Sequence, residues 1–195
     1  EDGYIFNSAL FFQKGKLIEK YKKQILPNYK EFDEKRYFKR GESHKVFEDK
    51  GFKFGISICE DIWDKDFAKE LFGRDIDLLL NLSASPYTID KKNLREKMLC
   101  EYFAEFKKPI VYVNQVGGQD ELVFDGSSLI IDSKDSVRRL KSFEIDETII
   151  EFSKKGISTT LQKEKISHVG DVADIYQALV LGTRDYVIKN NFKGI

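Results

Sequence analysis

The stretch Gly51-Phe-Lys-Phe-Gly-Ile-Ser-Ile-Cys-Glu-Asp-Ile-Trp-Asp64 constrains the fold more than any other part of the chain. Phe52, Phe54, Ile56 and Ile58 alternate with Lys53, Gly55 and Ser57, the period of a strand with one buried face. The alternation stops at Cys59, the carboxylates Glu60 and Asp61 follow, and Lys65 to Phe72 has helical composition. A residue at a strand end, on the turn into a helix, is held on rigid supports and still meets a ligand. Cys59 there reads as a candidate nucleophile. It reads equally as a small buried hydrophobe, the common role of cysteines outside disulfides.

The flanking segments extend this strand-and-helix pattern. Residues 4–12 and 16–22 read as strands around Gln13-Lys-Gly-Lys16, a hairpin loop with glycine at the positive-φ position. Pro27 opens a polar loop unusually rich in aromatics, as expected of a lid or a pocket wall. Val46 and Phe47 pair with 52–58 through Glu48-Asp-Lys-Gly51, 65–73 is a short helix, and Ile76 to Leu82 is a strand buried on both faces. Lys91 to Lys107 is the clearest helix, with Leu94, Met98, Leu99, Tyr102, Phe103 and Phe106 on one side. Arg95 falls inside that apolar arc and needs a carboxylate or carbonyl partner, so it reads first as structural; Cys100 falls outside it. Pro109 ends the helix, 110–113 is a strand, 114–120 a loop, and strands follow near 121–124, 127–132, 137–143 and 148–152. Residues 153–170 have linker composition. Asp171 is placed to cap a helix whose stripe is Val172, Ile175, Tyr176, Leu179, Thr183, Tyr186 and Val187, a helix that reads as part of another domain. The whole pattern predicts an α/β layered sandwich, two sheets covered by helices.

Composition removes several classes of function. Lys plus Arg and Asp plus Glu are both 33, which gives no sign of a nucleic acid or anionic membrane partner. No apolar run approaches the ~20 residues of a membrane span. Two cysteines make no disulfide framework, so the cytoplasm is the expected compartment. The positions of His44, Cys59, Cys100 and His168 match no zinc spacing, so no metal is expected. A cysteine–histidine dyad would have to use His44, since His168 falls in the linker. Without imidazole, a lysine or a carboxylate must activate the thiol.

Five motifs then occur in order: Tyr21-Lys-Lys-Gln-Ile-Leu-Pro-Asn-Tyr29, Phe32-Asp-Glu-Lys-Arg-Tyr-Phe38, Gly55-Ile-Ser-Ile-Cys-Glu-Asp-Ile-Trp63, Asn81-Leu-Ser-Ala-Ser-Pro-Tyr87 and Val113-Asn-Gln-Val-Gly-Gly-Gln-Asp-Glu-Leu-Val-Phe-Asp-Gly126. Together they resemble the nitrilase-superfamily (carbon–nitrogen hydrolase) glutaminase domains of glutamine-dependent NAD+ synthetases, over about residues 4–152. The resemblance implies a nitrilase-like α-β-β-α sandwich in residues 1–152, incomplete because its first strands are absent. It implies a linker at 153–170 and, at 171–195, the first helix of a following synthetase domain. It also implies a Glu–Lys–Cys mechanism, with Cys59 as nucleophile and Lys23 as catalytic lysine. Tyr29, Glu60, Ser85 and Lys91 match residues that bind glutamine. Glu34 matches a glutamate that orients the lysine, and Ser83 and Trp63 are further candidates for shaping the pocket.

Each role has a plain structural alternative. Lys23 follows another lysine at a strand end, Tyr29 can pack within its loop, Glu34 stands in a charge run, and Lys91 is followed by Lys92. Asp90 also stands where the family pattern has glycine. The family's general-base glutamate lies far upstream of the lysine, whereas twenty-two residues precede Lys23. The resemblance therefore describes the middle of a longer enzyme, inactive by itself. L-Glutamine is the expected substrate, with deamido-NAD+ and ATP as further substrates of the whole enzyme, which is expected to be a homo-oligomer. No cofactor is expected in this segment; ATP and Mg2+ belong to the synthetase domain. The rival expectations are a stand-alone nitrilase-type amidohydrolase acting on a small amide, and a non-catalytic interaction module with a decayed triad.

Overall fold

A computed structural model describes residues 3–165 and 172–194. The chain divides at Ser83/Ala84 into two units.

The first unit opens with a hairpin of β1 (Ser8–Gln13) and β2 (Lys16–Lys22), antiparallel, with Lys14 and Gly15 at φ 50° and 76° in its turn. Two consecutive positive-φ residues give the tight turn that matches strand twist. The strand begins at Ser8 and not at Tyr4. Before it, Ile5 and Asn7 offer their carbonyls to the Lys39 and Lys23 N–H groups, so loop backbone rather than a neighbouring strand takes up that pairing. After the short helix α1 (Glu34–Tyr37) come β3 (Val46–Asp49), β4 (Phe52–Ile58), a 3-10 turn (Cys59–Trp63), α2 (Lys65–Phe72) and β5 (Leu78–Ser83). β3 runs antiparallel and β5 parallel to β4. A parallel pair needs a crossover, and α2 supplies it. Asp64 caps α2 by accepting from Phe67 N–H at 2.8 Å, and Phe67, Ala68, Leu71 and Phe72 form its buried face.

β4 departs from one-sided burial. From Gly55 to Ile58 every residue is buried, because Gly55 leaves room for Ile76 and Leu71 on the face that alternation would give to solvent. Ser57 on that face is satisfied by Asn81 Nδ2, which donates to its Oγ at 2.8 Å.

The second unit contains α3 (Lys91–Phe106), β6 (Ile110–Asn114), β7 (Val116–Gln119), β8 (Leu122–Asp125), β9 (Leu129–Ile131), β10 (Ser136–Arg139), β11 (Glu151–Ser153), β12 (Gly156–Ser158), β13 (Glu164–Lys165) and α4 (Val172–Lys189). β9 pairs antiparallel with β6 and β10, and β13 pairs with β10. Two expectations change here. The loop read at 114–120 holds β7, an arm of the β7–β8 hairpin whose glycines hide its strand character. β11 falls at the end of the strand expected near 148–152, and within the stretch read as linker β12 pairs with it and β13 joins β10, since backbone pairing is indifferent to polar side chains. Asp171 and His168 lie outside the described residues.

The buried face of α3 is rotated from its apolar arc. Leu94 is 57% exposed, whereas Arg95, Glu96, Leu99, Cys100 and Tyr102 are buried. Ion pairs permit this: Arg95 meets Asp125 at 3.3 Å and Glu96 meets Arg139 at 2.7 Å. Burial pushes the Cys100 thiol up to about 11.

α4 packs on the β7–β8 hairpin through Ala178 and Leu181. Its apolar stripe remains outside, with Val172, Tyr176 and Leu179 at 79%, 64% and 65% exposure. The crossing is close because a Cβ on Gly118 would stand 2.9 Å from Gly182 Cα. Asp185 accepts from Gly118 N–H at 2.7 Å and Lys189 donates to its carbonyl at 2.5 Å. Gly118→Ala is therefore expected to destabilise the protein by about 1–3 kcal/mol. Thermal melting would check the loss, and faster amide exchange in α4 would locate it.

Candidate active site

In the first unit, the side chains picked out as chemical gather where β2 and β4 end. Cys59 follows the last residue of β4 and takes φ 46°, the left-handed region that is strained for a cysteine. This sharp turn leaves the side chain half-buried at the strand end, while Asp61 and Ile62 behind it are buried. Such strain is held only where the surroundings over-determine the backbone.

Lys23 is the residue after β2, and its side chain is 1% exposed. Its N–H donates to Asn7 O at 2.8 Å and its carbonyl accepts from Gly41 N–H at 2.8 Å, so the backbone is fixed on both sides. Gly41 has no substitute here, since a Cβ would stand 2.1 Å from Lys22 O. Lys23 Nζ donates to both carboxylate oxygens of Glu34, at 2.7 and 2.9 Å. A buried ammonium requires such a partner. Glu34 opens α1, and its N–H donates to Pro27 O at 3.1 Å, which anchors the helix beside β2.

The aromatic loop contributes Tyr29, whose hydroxyl donates to Glu60 Oε1 at 2.8 Å and whose ring stands edge-on to Phe32. Burial holds the Tyr29 phenol above its usual range, aided by the hydrogen bond to Glu60 and its negative charge. Tyr29 thus belongs to the surroundings of Cys59, and its hydroxyl is engaged with Glu60. Trp63 closes the turn, half-buried. Ser83, the last residue of β5, donates to Asn81 Oδ1 at 2.6 Å and so extends the Asn81–Ser57 chain beside the end of β4.

Ser85 and Lys91 belong to the second unit. Ser85 is 1% exposed, its N–H donates to Asn114 Oδ1 at 2.9 Å, and its Oγ has no hydrogen-bond partner among the described residues. Asn114 Nδ2 also donates to Asp125 Oδ1 at 3.1 Å, which links Ser85 to the Arg95–Asp125 pair. Lys91 is the first residue of α3, after Asp90 at φ 68°. That left-handed position is where glycine is strain-free and aspartate is tolerated, which accounts for the departure from the family pattern.

His44 has other partners than the cysteine. Its Nε2 lies 2.9 Å from Glu70, its Nδ1 lies 3.5 Å from Gln24, and its ring packs on Phe67. Nε2 and the ring are thus engaged with α2, and Nδ1 with the residue after Lys23. Among the described residues no group of three or more His, Cys, Asp or Glu side chains is placed to hold a metal ion, and no helix is long and apolar enough to cross a membrane.

Asp61 was missed by sequence reasoning. It is fully buried, with Oδ2 accepting from Tyr21 OH at 2.7 Å and Ile58 N–H at 2.9 Å, and Oδ1 accepting from Gln24 N–H at 3.1 Å and Ile25 N–H at 2.8 Å. The available signal was a capping pattern, a carboxylate three residues beyond the strand's last residue.

The profile of the carbon–nitrogen hydrolase family matches residues 1–150. The glutamine-dependent NAD(+) synthetase of Acinetobacter baylyi is 42% identical over 198 residues, covering 100% of this chain and 36% of its own length. The Synechocystis enzyme of the same name is 36% identical over 200 residues, again with 36% of its length covered. The solved glutamine-dependent NAD+ synthetase of Acinetobacter baumannii superposes with a TM-score of 0.91 at 42% identity, with 100% of this chain and 37% of that one covered. An amidase from Nesterenkonia shares the fold at a TM-score of 0.57 and 22% identity, over 66% of this chain and 50% of its own. The chain thus spans about a third of the length of the synthetases it matches. With the family profile covering its first 150 residues, the chain belongs to the carbon–nitrogen hydrolase family.

Proposed function

We propose that this chain is the glutaminase part of a glutamine-dependent NAD+ synthetase. The observation that carries the reading is the Lys23–Glu34 pair held beside the Asp61 network that also closes the Cys59 turn, in a chain 42% identical throughout to an enzyme of that name. In this reading Cys59 sulfur attacks the side-chain amide carbon of L-glutamine. The carbonyl electrons move to oxygen, where Lys23 and the Glu60 N–H receive the charge. A donor of that kind is worth ~2.7–4 kcal/mol of barrier. Collapse breaks the C–N bond, ammonia leaves with the proton delivered to it, and water cleaves the γ-glutamyl thioester to glutamate and thiol. Glu60, oriented by Tyr29, receives the α-amino group, while Ser85 and Lys91 take the amino-acid head. Ser83 and Trp63 line the approach. The ammonia serves ATP-dependent amidation of deamido-NAD+ in the synthetase part, where ATP and Mg2+ bind; the whole enzyme is a cytoplasmic homo-oligomer.

The base that removes the thiol proton lies, in this reading, outside residues 1–195. Glu34 is committed to Lys23 and Glu60 to Tyr29, and an ammonium accepts no proton. A positioned base contributes ~10²–10⁴ in rate. The expected result is no measurable ammonia release from glutamine by residues 1–195, and hydrolysis by a protein extended upstream, lost again on Cys59→Ala. Cys59-dependent turnover by the 195 residues would refute the Glu–Lys–Cys assignment. Faster release from simple amides than from glutamine would favour the stand-alone amidohydrolase, and no release from any extended protein would favour the interaction module.

A further inference from the structure

We infer that Asp61 is a positioning residue that sets Lys23 against Cys59 by binding the backbone beside each of them. The inference rests on the glutaminase reading, in which those two side chains act together.

Three of the four groups on this carboxylate are backbone N–H donors, and each lies beside a residue of the proposed chemistry. Gln24 follows Lys23, Ile25 follows Gln24, and Ile58 precedes Cys59. The fourth donor, Tyr21 OH, comes from the next-to-last residue of β2, two residues before Lys23. β2 ends at Lys22 and Lys23 N–H still donates to Asn7 O, so the N–H groups of Gln24 and Ile25 are the first to need another acceptor. At the other end, the Ile58 bond closes the turn that holds Cys59 in its left-handed conformation. Two segments far apart in sequence are therefore registered on one rigid, planar group.

The arrangement is demanding in a way that packing alone does not require. A buried carboxylate is costly to desolvate, and a well-packed apolar residue would fill the same volume without that cost. What an apolar residue lacks is the capacity to accept from both segments at once. Asparagine lacks it as well. Its amide offers one acceptor oxygen, and either orientation turns an NH2 group toward an obligatory backbone donor. Tyr21→Phe, by contrast, deletes one donor and leaves the three backbone bonds in place.

The experiment measures alkylation of Cys59 by iodoacetamide in the full-length protein, followed on the Cys59 peptide by mass spectrometry, so it needs no substrate. Wild type, Asp61→Asn, Lys23→Met and the double variant form a cycle, with Tyr21→Phe and melting temperatures beside it. The Cys100 thiol, buried and shifted upward, serves as an unreactive reference. The expected result is alkylation slowed at least fivefold by Asp61→Asn and by Lys23→Met alone, with little further loss in the double variant. Tyr21→Phe is expected to give a smaller loss of the same kind without lowering glutamine affinity. Additive losses in the cycle, or losses that follow melting temperature alone, would overturn the inference. If Asp61→Asn does not fold, Tyr21→Phe combined with Lys23→Met decides by the same criterion. Glutaminase assays on the same proteins separate the two claims. Wild type without Cys59-dependent glutamine hydrolysis refutes the functional reading, while the alkylation cycle still judges Asp61.

Discussion

Cys59→Ala in the full-length protein is expected to lower glutamine-driven NAD+ formation by at least about 10⁴-fold, the scale of removing a nucleophile from a covalent mechanism. Formation driven by added ammonia is expected to stay within about twofold of wild type, because hydrolysis and amidation use separate sites in the proposed enzyme. The two rates are measured on one preparation with glutamine or an ammonium salt as nitrogen source. The alanine removes only the sulfur from a half-buried position, so the turn has little reason to collapse. Loss of both activities would contradict the separation of the two reactions.

The second large effect belongs to the Lys23–Glu34 pair. Lys23 is 1% exposed, so deleting Glu34 strands an ammonium away from water. Breaking a buried pair from one side costs about 3–5 kcal/mol. Glu34 is itself 18% exposed, and water entering at its position places Glu34→Ala at the lower end of that range. Lys23→Met replaces the charge with an apolar chain of similar length and leaves Glu34 an exit to solvent. It is expected to be milder in stability and harsher in activity, with glutamine turnover down about 10²–10³-fold. Denaturant unfolding and glutaminase kinetics on the two variants check this inversion. A larger stability loss for Lys23→Met than for Glu34→Ala would show that the carboxylate, not the ammonium, is the costly buried charge.

The parts of the fold legible in the sequence are those whose signals are local. The strand 52–58, the turn at Cys59 and helix α2 follow from alternation, the point where it stops and helical composition, all within neighbouring residues. Lys23, Glu34, Tyr29 and Glu60 were legible only through the motifs they share with a family. Their own surroundings read as surface charge and loop aromatics, and only the folded chain pairs Lys23 with Glu34 and Tyr29 with Glu60.

What escaped depends on partners distant in the chain. β7 is masked by Gly117 and Gly118, which weaken a strand pattern but permit the approach of α4. The stripe of α4 stays largely exposed, as expected of a helix read as part of another domain, but nothing in it announces the inner face of Ala178, Leu181 and Gly182. On α3 the burial of Arg95 against a carboxylate, Asp125, is as the sequence suggests, whereas that of Glu96 depends on Arg139, which no helical period records. Asp61 was hidden for the same reason. In sequence it is the second of two acidic residues after a cysteine, whereas in space it joins two segments.

The central claim is that Cys59 forms a covalent bond to the carbonyl carbon of glutamine. Acid quenching of the full-length protein during the first turnover, followed by mass spectrometry of the Cys59 peptide, tests it most directly. The expected species is a γ-glutamyl thioester on Cys59 that appears with the first ammonia released, is discharged by hydroxylamine and is absent from Cys59→Ala. Ammonia released in that first turnover with Cys59 unmodified, or at the same rate from Cys59→Ala, would contradict it.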